Sequence, residues 1–196
     1  EIKDALEMTT TPIRALAFVD DNFLINRDFL DAFCERYKDE VGLPFVTNVH
    51  PLTLNERKGE LLKEAGVISM RFGVESGSER IRTEILKRFT APKHLDRAFE
   101  IANECDAMPS SYNMIGIPTE GREEVLDTLR LNAHLAPDVV KVMTFFPFNG
   151  TPLYNYCVAH DLIDYEKKGQ LDNYESGTCL KFEPEHQLFL KKIQKV

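Results

Sequence analysis

Acidic and hydroxyl side chains stand directly after two apolar segments of this sequence. They are Asp20, Asp21, Glu75 and Ser76. A carboxylate in such a position can bind a cationic amine, accept hydrogen bonds from the two hydroxyls of a ribose, or help to hold a divalent metal ion. Because neighbouring strand residues point in opposite directions, one of the two aspartates is expected to face a ligand and the other to cap the next helix. A structural ion pair of Glu75 with Arg71 or Arg80 is the other explanation left open.

Glycine and proline mark two further segment ends, at Gly116 and at Phe146-Pro147. Glycine has no side chain, so a base or a sugar can approach the backbone closely. The five histidines show neither a paired metal spacing nor a hydrolase elbow, and no Walker-type or Gly-x-Gly-x-x-Gly loop occurs. Phosphoryl transfer, serine hydrolysis and dinucleotide-dependent dehydrogenation are therefore disfavoured.

The elements that must position these residues are short strands and amphipathic helices. Apolar segments alternate with helical patterns from Pro12 to Pro147, which is typical of βα units around a parallel sheet. Strands are predicted at about residues 13–19, 43–49, 67–74, 111–117 and 139–146. The fold class is therefore α/β, with the candidate residues at the carboxyl ends of the strands. The pattern weakens after Tyr154, which predicts one domain over residues 1–154 and an extension over 155–196.

Composition limits the partners that this chain can bind. Its 196 residues include 24 Lys and Arg against 32 Asp and Glu, a net charge of −8. This balance disfavours nucleic acid and membrane surfaces as partners, since both bind clustered positive charge. No apolar run reaches the length that spans a bilayer and no signal peptide is visible, so a cytoplasmic location is predicted. The four cysteines are far apart, which predicts free, buried thiols and no metal site within this chain.

Four segments, taken in sequence order, resemble the strand-end motifs of radical S-adenosylmethionine enzymes, in particular the subgroup that often carries an upstream cobalamin-binding domain. The segments are Phe18-Val19-Asp20-Asp21-Asn22-Phe23, Phe72-Gly73-Val74-Glu75-Ser76-Gly77-Ser78, Met114-Ile115-Gly116-Ile117-Pro118-Thr119-Glu120 and Phe146-Pro147-Phe148-Asn149-Gly150-Thr151-Pro152-Leu153-Tyr154. The order and spacing of the four segments together indicate this family more specifically than any one segment does. The resemblance covers about residues 12–154, and it implies a parallel-sheet partial TIM-type barrel with about five βα units of a (β/α)6 core.

The resemblance also implies an activity and a set of binding residues. Family members bind a [4Fe–4S] cluster and S-adenosylmethionine (SAM) and cleave SAM reductively to a 5′-deoxyadenosyl radical. Cobalamin is implied only by likeness to the subgroup. By the same resemblance, Asp20 or Asp21 receives the methionyl amine, Glu75 and Ser76 hold the ribose, and Lys87 or Arg88 pairs with the methionyl carboxylate. The backbone of Ile115, Gly116, Phe146 and Pro147 flanks the adenine.

One departure from the family pattern is large: the Cys-x-x-x-Cys-x-x-Cys sequence that ends the family's first strand is missing. We therefore expect this chain to be the carboxyl-terminal part of the catalytic core, without the first strand and the cluster loop. The complete protein is expected to be an iron–sulfur oxidoreductase or transferase acting on a small-molecule or otherwise unidentified substrate, and the isolated chain is expected to be inactive. Its expected partners are an upstream domain of the same protein and a second copy, paired through an open strand edge.

Two other functions remain open from the sequence. One is a non-catalytic nucleotide-binding barrel module. The other is a barrel hydrolase or lyase that holds a divalent metal ion with Asp20, Asp21 and Glu75.

Overall fold

In a computed structural model that describes residues 2–171 and 177–194, five parallel strands form one sheet. The sheet order is β1-β2-β3-β4-β5. The strands are β1 (Leu16–Phe18), β2 (Phe45–Val49), β3 (Val67–Glu75), β4 (Met108–Ile115) and β5 (Val139–Thr144). The predicted α/β class is confirmed. β1 is shorter than predicted at both ends, because only Leu16 to Phe18 pair with β2, from Phe45 onwards.

Helices precede, connect and follow these strands. They are α1 (Ile2–Met8), α2 (Arg27–Glu40), α3 (Glu56–Ala65), α4 (Pro92–Glu104), α5 (Arg122–Leu135), α6 (Pro152–Ala159), α7 (Tyr165–Gln170) and α8 (Pro184–Ile193), with a 3₁₀ turn at Pro51–Thr53. The ends of α3 follow local rules: the Asn55 side chain accepts a hydrogen bond from the Lys58 N–H, and Gly66 ends the helix at φ +95°. Pro92 begins α4, as its fixed φ favours.

The segment after β3 differs from the helix that its charged pattern predicts as far as Arg88. The structure forms only a π-helical turn, Ile81–Ile85, and the backbone then turns left-handed at Lys87 with φ +54°. A left-handed residue cannot continue a right-handed helix, so the turn ends there. Within it, Arg82 is buried although it is charged.

Two compact units divide the chain. The first comprises Glu1–Gly73, Thr90–Ser111 and Pro137–Val139, and the second comprises Val74–Phe89, Tyr112–Ala136 and Val140–Val196. The first unit contains an aromatic cluster in which the Phe33 and Tyr37 rings stack at 5.0 Å and the Phe18 and Phe45 rings lie edge to face. In the second, a buried cluster combines Ile81, Ile117, Phe145, Cys157, Ile163 and Leu180. The domain boundary at residue 154 stays a prediction.

No helix within residues 2–171 and 177–194 combines the length and the apolar character needed to cross a membrane.

Candidate functional site

The second unit contains the carboxyl ends of the adjacent strands β3, β4 and β5. Glu75 is the last residue of β3, and Gly116 directly follows β4. Phe146 and Pro147 follow β5 after one residue. The other predicted site residues of this unit are Ser76, Lys87, Arg88 and Ile115, whereas Asp20 and Asp21 belong to the first unit. The structure therefore places eight of the ten predicted residues in one compact unit.

Glu75 has a strained backbone. Its φ is +66°, and the Ser76 N–H donates to the Val74 carbonyl at 2.9 Å, which closes a γ-turn around Glu75. A left-handed residue with a side chain costs about 1–2 kcal/mol, and such strain is typical of functional sites. The carboxylate is 21% exposed, and its Oε1 lies 3.9 Å from Nη2 of Arg88. Burial raises the pKa of Glu75, and the Arg88 charge opposes that rise.

The two arginines near Glu75 contact different carboxylates. Arg88 approaches Glu75, whereas the Arg80 Nε donates to Glu124 Oε1 at 2.7 Å. Of these two residues, Arg88 and not Arg80 is therefore the cation that faces Glu75. Lys87 is exposed and left-handed.

Ser76 is fully buried. Its hydroxyl lies 3.4 Å from the hydroxyl of Thr128, and it accepts a hydrogen bond from the Ser78 N–H at 3.2 Å. The Ser76 side chain therefore forms the inside of the turn, and the Glu75 side chain lies at its surface.

The turn after β4 depends on the left-handed backbone conformation of Gly116. Gly116 has φ +69°, and a Cβ there would lie 3.2 Å from Leu190 Cδ1. The Ile115 side chain is buried with Val125 and Leu190, and the Ile115 carbonyl accepts a hydrogen bond from the Phe145 N–H at 2.8 Å. The contact of this backbone with adenine that the family resemblance implies stays a prediction.

Glu120 holds this turn, a role that the sequence analysis did not identify. Its Oε2 accepts the Gly116 N–H at 2.6 Å and the Ile117 N–H at 3.3 Å. The residue is 3% exposed, and burial raises the pKa of its carboxyl to about 8. A carboxylate four residues after a strand-end glycine is the sequence signal that could have identified it, because that spacing lets the side chain return to the free N–H groups of the turn.

The loop after β5 receives a cation from the extension. The Phe146 and Phe148 rings lie 5.0 Å apart, and Pro147 is buried. Lys168 Nζ lies 5.2 Å from the Phe146 ring centre and donates to Asn149 Oδ1 at 3.1 Å. Lys168 of α7 therefore fixes the loop that contains two of the predicted adenine neighbours.

Asp20 and Asp21 are both exposed after β1 in the first unit. Neither caps α2, because Asn26 Oδ1 accepts the Phe29 N–H at 3.0 Å, so the predicted capping role is wrong. The loop is fixed from α3, where Lys58 Nζ donates to the Leu24 carbonyl at 2.9 Å. Both carboxylates remain accessible to a cationic group.

The cysteines do not fit an iron–sulfur cluster. All four are free and buried, as the sequence predicts. Burial is the main cause that raises the thiol pKa of Cys34 and Cys157 to about 11, whereas cluster ligands must be thiolates. Within residues 2–171 and 177–194, no group of three or more His, Cys, Asp or Glu side chains could hold a metal ion.

Comparison with known proteins identifies similar sequences. The sequence model of the Radical SAM superfamily matches residues 1–131. An uncharacterized methyltransferase of Pyrococcus horikoshii is 30% identical over 152 residues, which cover 77% of this chain and 33% of that protein. The chain thus spans about a third of the length of this curated relative.

Solved structures show the same fold. Coproporphyrinogen III oxidase (HemN) of Escherichia coli, described as a radical SAM enzyme, aligns with a TM-score of 0.67 at 13% identity, over 92% of this chain and 39% of that chain. The radical S-adenosylmethionine methyltransferase TsrM of Kitasatospora setae, solved with cobalamin and a [4Fe–4S] cluster, aligns with a TM-score of 0.63 at 18% identity, over 76% of this chain and 29% of that chain.

Proposed function

This chain belongs to the radical SAM superfamily, and on that premise we propose that it supplies SAM-binding strand ends to an enzyme that uses SAM and a [4Fe–4S] cluster. The observation that supports the proposal most strongly is the strained Glu75 turn, with a partly exposed carboxylate at the carboxyl end of β3. Two oxygens of one carboxylate can accept both hydroxyls of a ribose. Folding tolerates such strain where a ligand needs the geometry.

The parts of SAM are assigned to separate groups. Glu75 accepts the ribose hydroxyls, and the Gly116 turn with the Phe146-Pro147 backbone flanks the adenine. Arg88, already beside Glu75, is the preferred partner for the methionyl carboxylate. Ser76, with its hydroxyl directed inwards, holds the ribose only through the turn. Lys87 is the alternative to Arg88. The assignment of the methionyl amine to Asp20 or Asp21 of the first unit stays a prediction.

The cluster ligands must come from sequence other than these four buried cysteines. When bound, the cluster and SAM supply reductive cleavage of SAM and abstraction of a hydrogen atom. The residues of this chain bind and orient SAM. We therefore propose that the complete protein is an oxidoreductase or transferase and that this chain alone is inactive. The non-catalytic module and the divalent-metal hydrolase or lyase are not favoured.

Methyl transfer to a small-molecule or otherwise unidentified substrate is the reaction best supported. The Pyrococcus relative is described as a methyltransferase, and TsrM is a methyltransferase that binds cobalamin. Cobalamin is therefore part of the proposal, together with an upstream domain of the same protein as a partner. Free thiols are typical of a reducing compartment, which supports a cytoplasmic location.

Glu75→Gln tests the ribose assignment. We expect the variant to bind adenosine about tenfold or more weakly than the parent chain, because a charge-assisted hydrogen bond contributes roughly 1.5–3 kcal/mol. Its affinity for 2′,3′-dideoxyadenosine, which lacks the diol, should not change. Titrations followed by ligand-detected NMR give both dissociation constants. Exposed Glu79 provides the matched control, Glu79→Gln. Equal adenosine affinities of the parent chain and Glu75→Gln would remove the ribose assignment.

Self-association is expected at β1. This strand ends the sheet order, and no strand of the described residues pairs with its outer edge. Unpaired edges pair with other copies, and lysine on an edge prevents it. We expect sedimentation velocity to show a dimer that increases with concentration, and Ala17→Lys, at an exposed position of β1, to restore the monomer. A parent chain that stays monomeric across the concentration series contradicts this expectation.

A further inference from the structure

We infer that Thr128 of α5, together with the buried Arg82, is a positioning residue that holds Ser76 and thereby keeps Glu75 in its ribose-binding conformation. The inference rests on the proposed function, because the Glu75 carboxylate must bind the ribose for its position to matter. Neither Thr128 nor Arg82 lies in the strand-end segments that resemble the family motifs.

Thr128 contacts the turn at two points. Its Oγ1 accepts the Gly77 N–H at 2.8 Å and lies 3.4 Å from Ser76 Oγ. Its own hydroxyl donates to the Glu124 carbonyl at 3.2 Å, within α5. In the 3.4 Å contact between the Ser76 and Thr128 hydroxyls, either oxygen can be the donor. A single hydroxyl therefore fixes both residues that follow Glu75.

Arg82 also contacts Ser76, through the Ser76 carbonyl. Its Nη1 donates to the Ser76 carbonyl at 2.6 Å, and the residue is 4% exposed. Its buried Nε has no hydrogen-bond partner in the part of the chain that the structure describes. A buried guanidinium with an unsatisfied N–H is costly. Because burial of Arg82 lowers the stability of the fold, its position favours a role in function over a role in stability.

Together these contacts use every polar group of Ser76. Its N–H closes the γ-turn on Val74, its carbonyl accepts from Arg82, and its hydroxyl bonds to Thr128 and Ser78. Among the described residues, the Glu75 carboxylate has only the distant ion pair with Arg88, at 3.9 Å. The fixed Ser76 thus resists relaxation of the strained φ of Glu75, while the Glu75 carboxylate stays available for the ribose.

Thr128→Val, which keeps the shape and removes the hydroxyl, is the main test. We expect adenosine affinity to fall about tenfold, consistent with loss of the hydrogen bonds that position Glu75. Affinity for 2′,3′-dideoxyadenosine should stay within about twofold, since the base contacts are unchanged. Thr128→Ser should restore adenosine binding. Thr83→Val is the matched control, because Thr83 also donates to the carbonyl four residues earlier but does not touch Ser76.

Combining Thr128→Val with Glu75→Gln separates a positioning role from a direct one. If Thr128 acts through Glu75, the double variant should bind adenosine as weakly as Glu75→Gln alone. Additive losses, or an equal loss for both nucleosides, would overturn the inference. If Glu75→Gln weakens adenosine binding and Thr128→Val does not, this inference fails and the proposed function stands. If the parent chain does not distinguish the two nucleosides, the proposed function and the inference fail together.

Arg82→Met provides a second, independent test that does not require the turn to unfold. Removal of the buried, incompletely bonded charge and loss of the hydrogen bond to the Ser76 carbonyl have opposite effects on stability, so the thermal midpoint should change little. Adenosine affinity should nevertheless fall, with dideoxyadenosine affinity unchanged. A lower midpoint with unchanged nucleoside selectivity would show that Arg82 only stabilises the fold and would overturn its part of the inference.

Discussion

Gly77→Ala should unfold the Glu75 turn and abolish adenosine binding. A Cβ at Gly77 would overlap the main chain of Asp127 and Thr128 in α5. Because these are backbone atoms of a helix, no side-chain rotation can relieve the overlap, and α5 must move. Overpacking of this kind costs about 1–3 kcal/mol and sometimes more, and here the Gly77 hydrogen bond to Thr128 is lost in addition.

Gly169→Ala is the control for Gly77→Ala. Gly169 lies within α7, and a Cβ there meets nothing within 4 Å. Alanine should therefore stabilise that helix by up to about 1 kcal/mol. Urea unfolding followed by circular dichroism measures both variants, with adenosine titration as the second readout. A Gly77→Ala variant that binds adenosine like the parent chain would show that α5 does not lie against this turn.

The strands and most helix ends could be predicted from local patterns. The segment predicted as a strand over residues 67–74 is β3, Val67–Glu75, and the expected helix end at Gly66 is observed. These features depend on residues close in sequence: an apolar run, a glycine, a proline at the first turn. The family segments also placed Glu75 and Gly116 correctly at strand ends.

The supports of the site could not be predicted in this way. Thr128 bonds to a residue 52 positions earlier, a pairing for which no local pattern exists. Arg82 and Glu120 are charged residues that the sequence alone would place in water, because ionised side chains are rarely buried. Positive φ at Glu75 is likewise a product of the surrounding contacts, since most left-handed positions favour glycine or asparagine.

Glu120 should make the stability of this chain fall as pH rises. Its folded-state pKa of about 8 lies above the ordinary value of 4.5, mainly because burial disfavours the charged form. Between about pH 4.5 and about pH 8, Glu120 is therefore protonated in the folded state and ionised in the unfolded state. The contribution of protonated Glu120 to the free energy of unfolding is complete below pH 4.5 and is lost above about pH 8. Between these values it decreases by up to about 1.4 kcal/mol per pH unit.

Glu120→Gln should remove this pH dependence. A glutamine keeps an oxygen that can accept the Gly116 and Ile117 N–H groups and has the charge of the protonated acid. Urea unfolding from about pH 5 to about pH 9 should give a falling curve for the parent chain and a flatter one for the variant. Glu123→Gln, at an exposed position of α5, should follow the parent curve. Parallel curves for the parent chain and Glu120→Gln would mean that Glu120 is ionised throughout, with its two N–H donors sufficient to hold a buried charge.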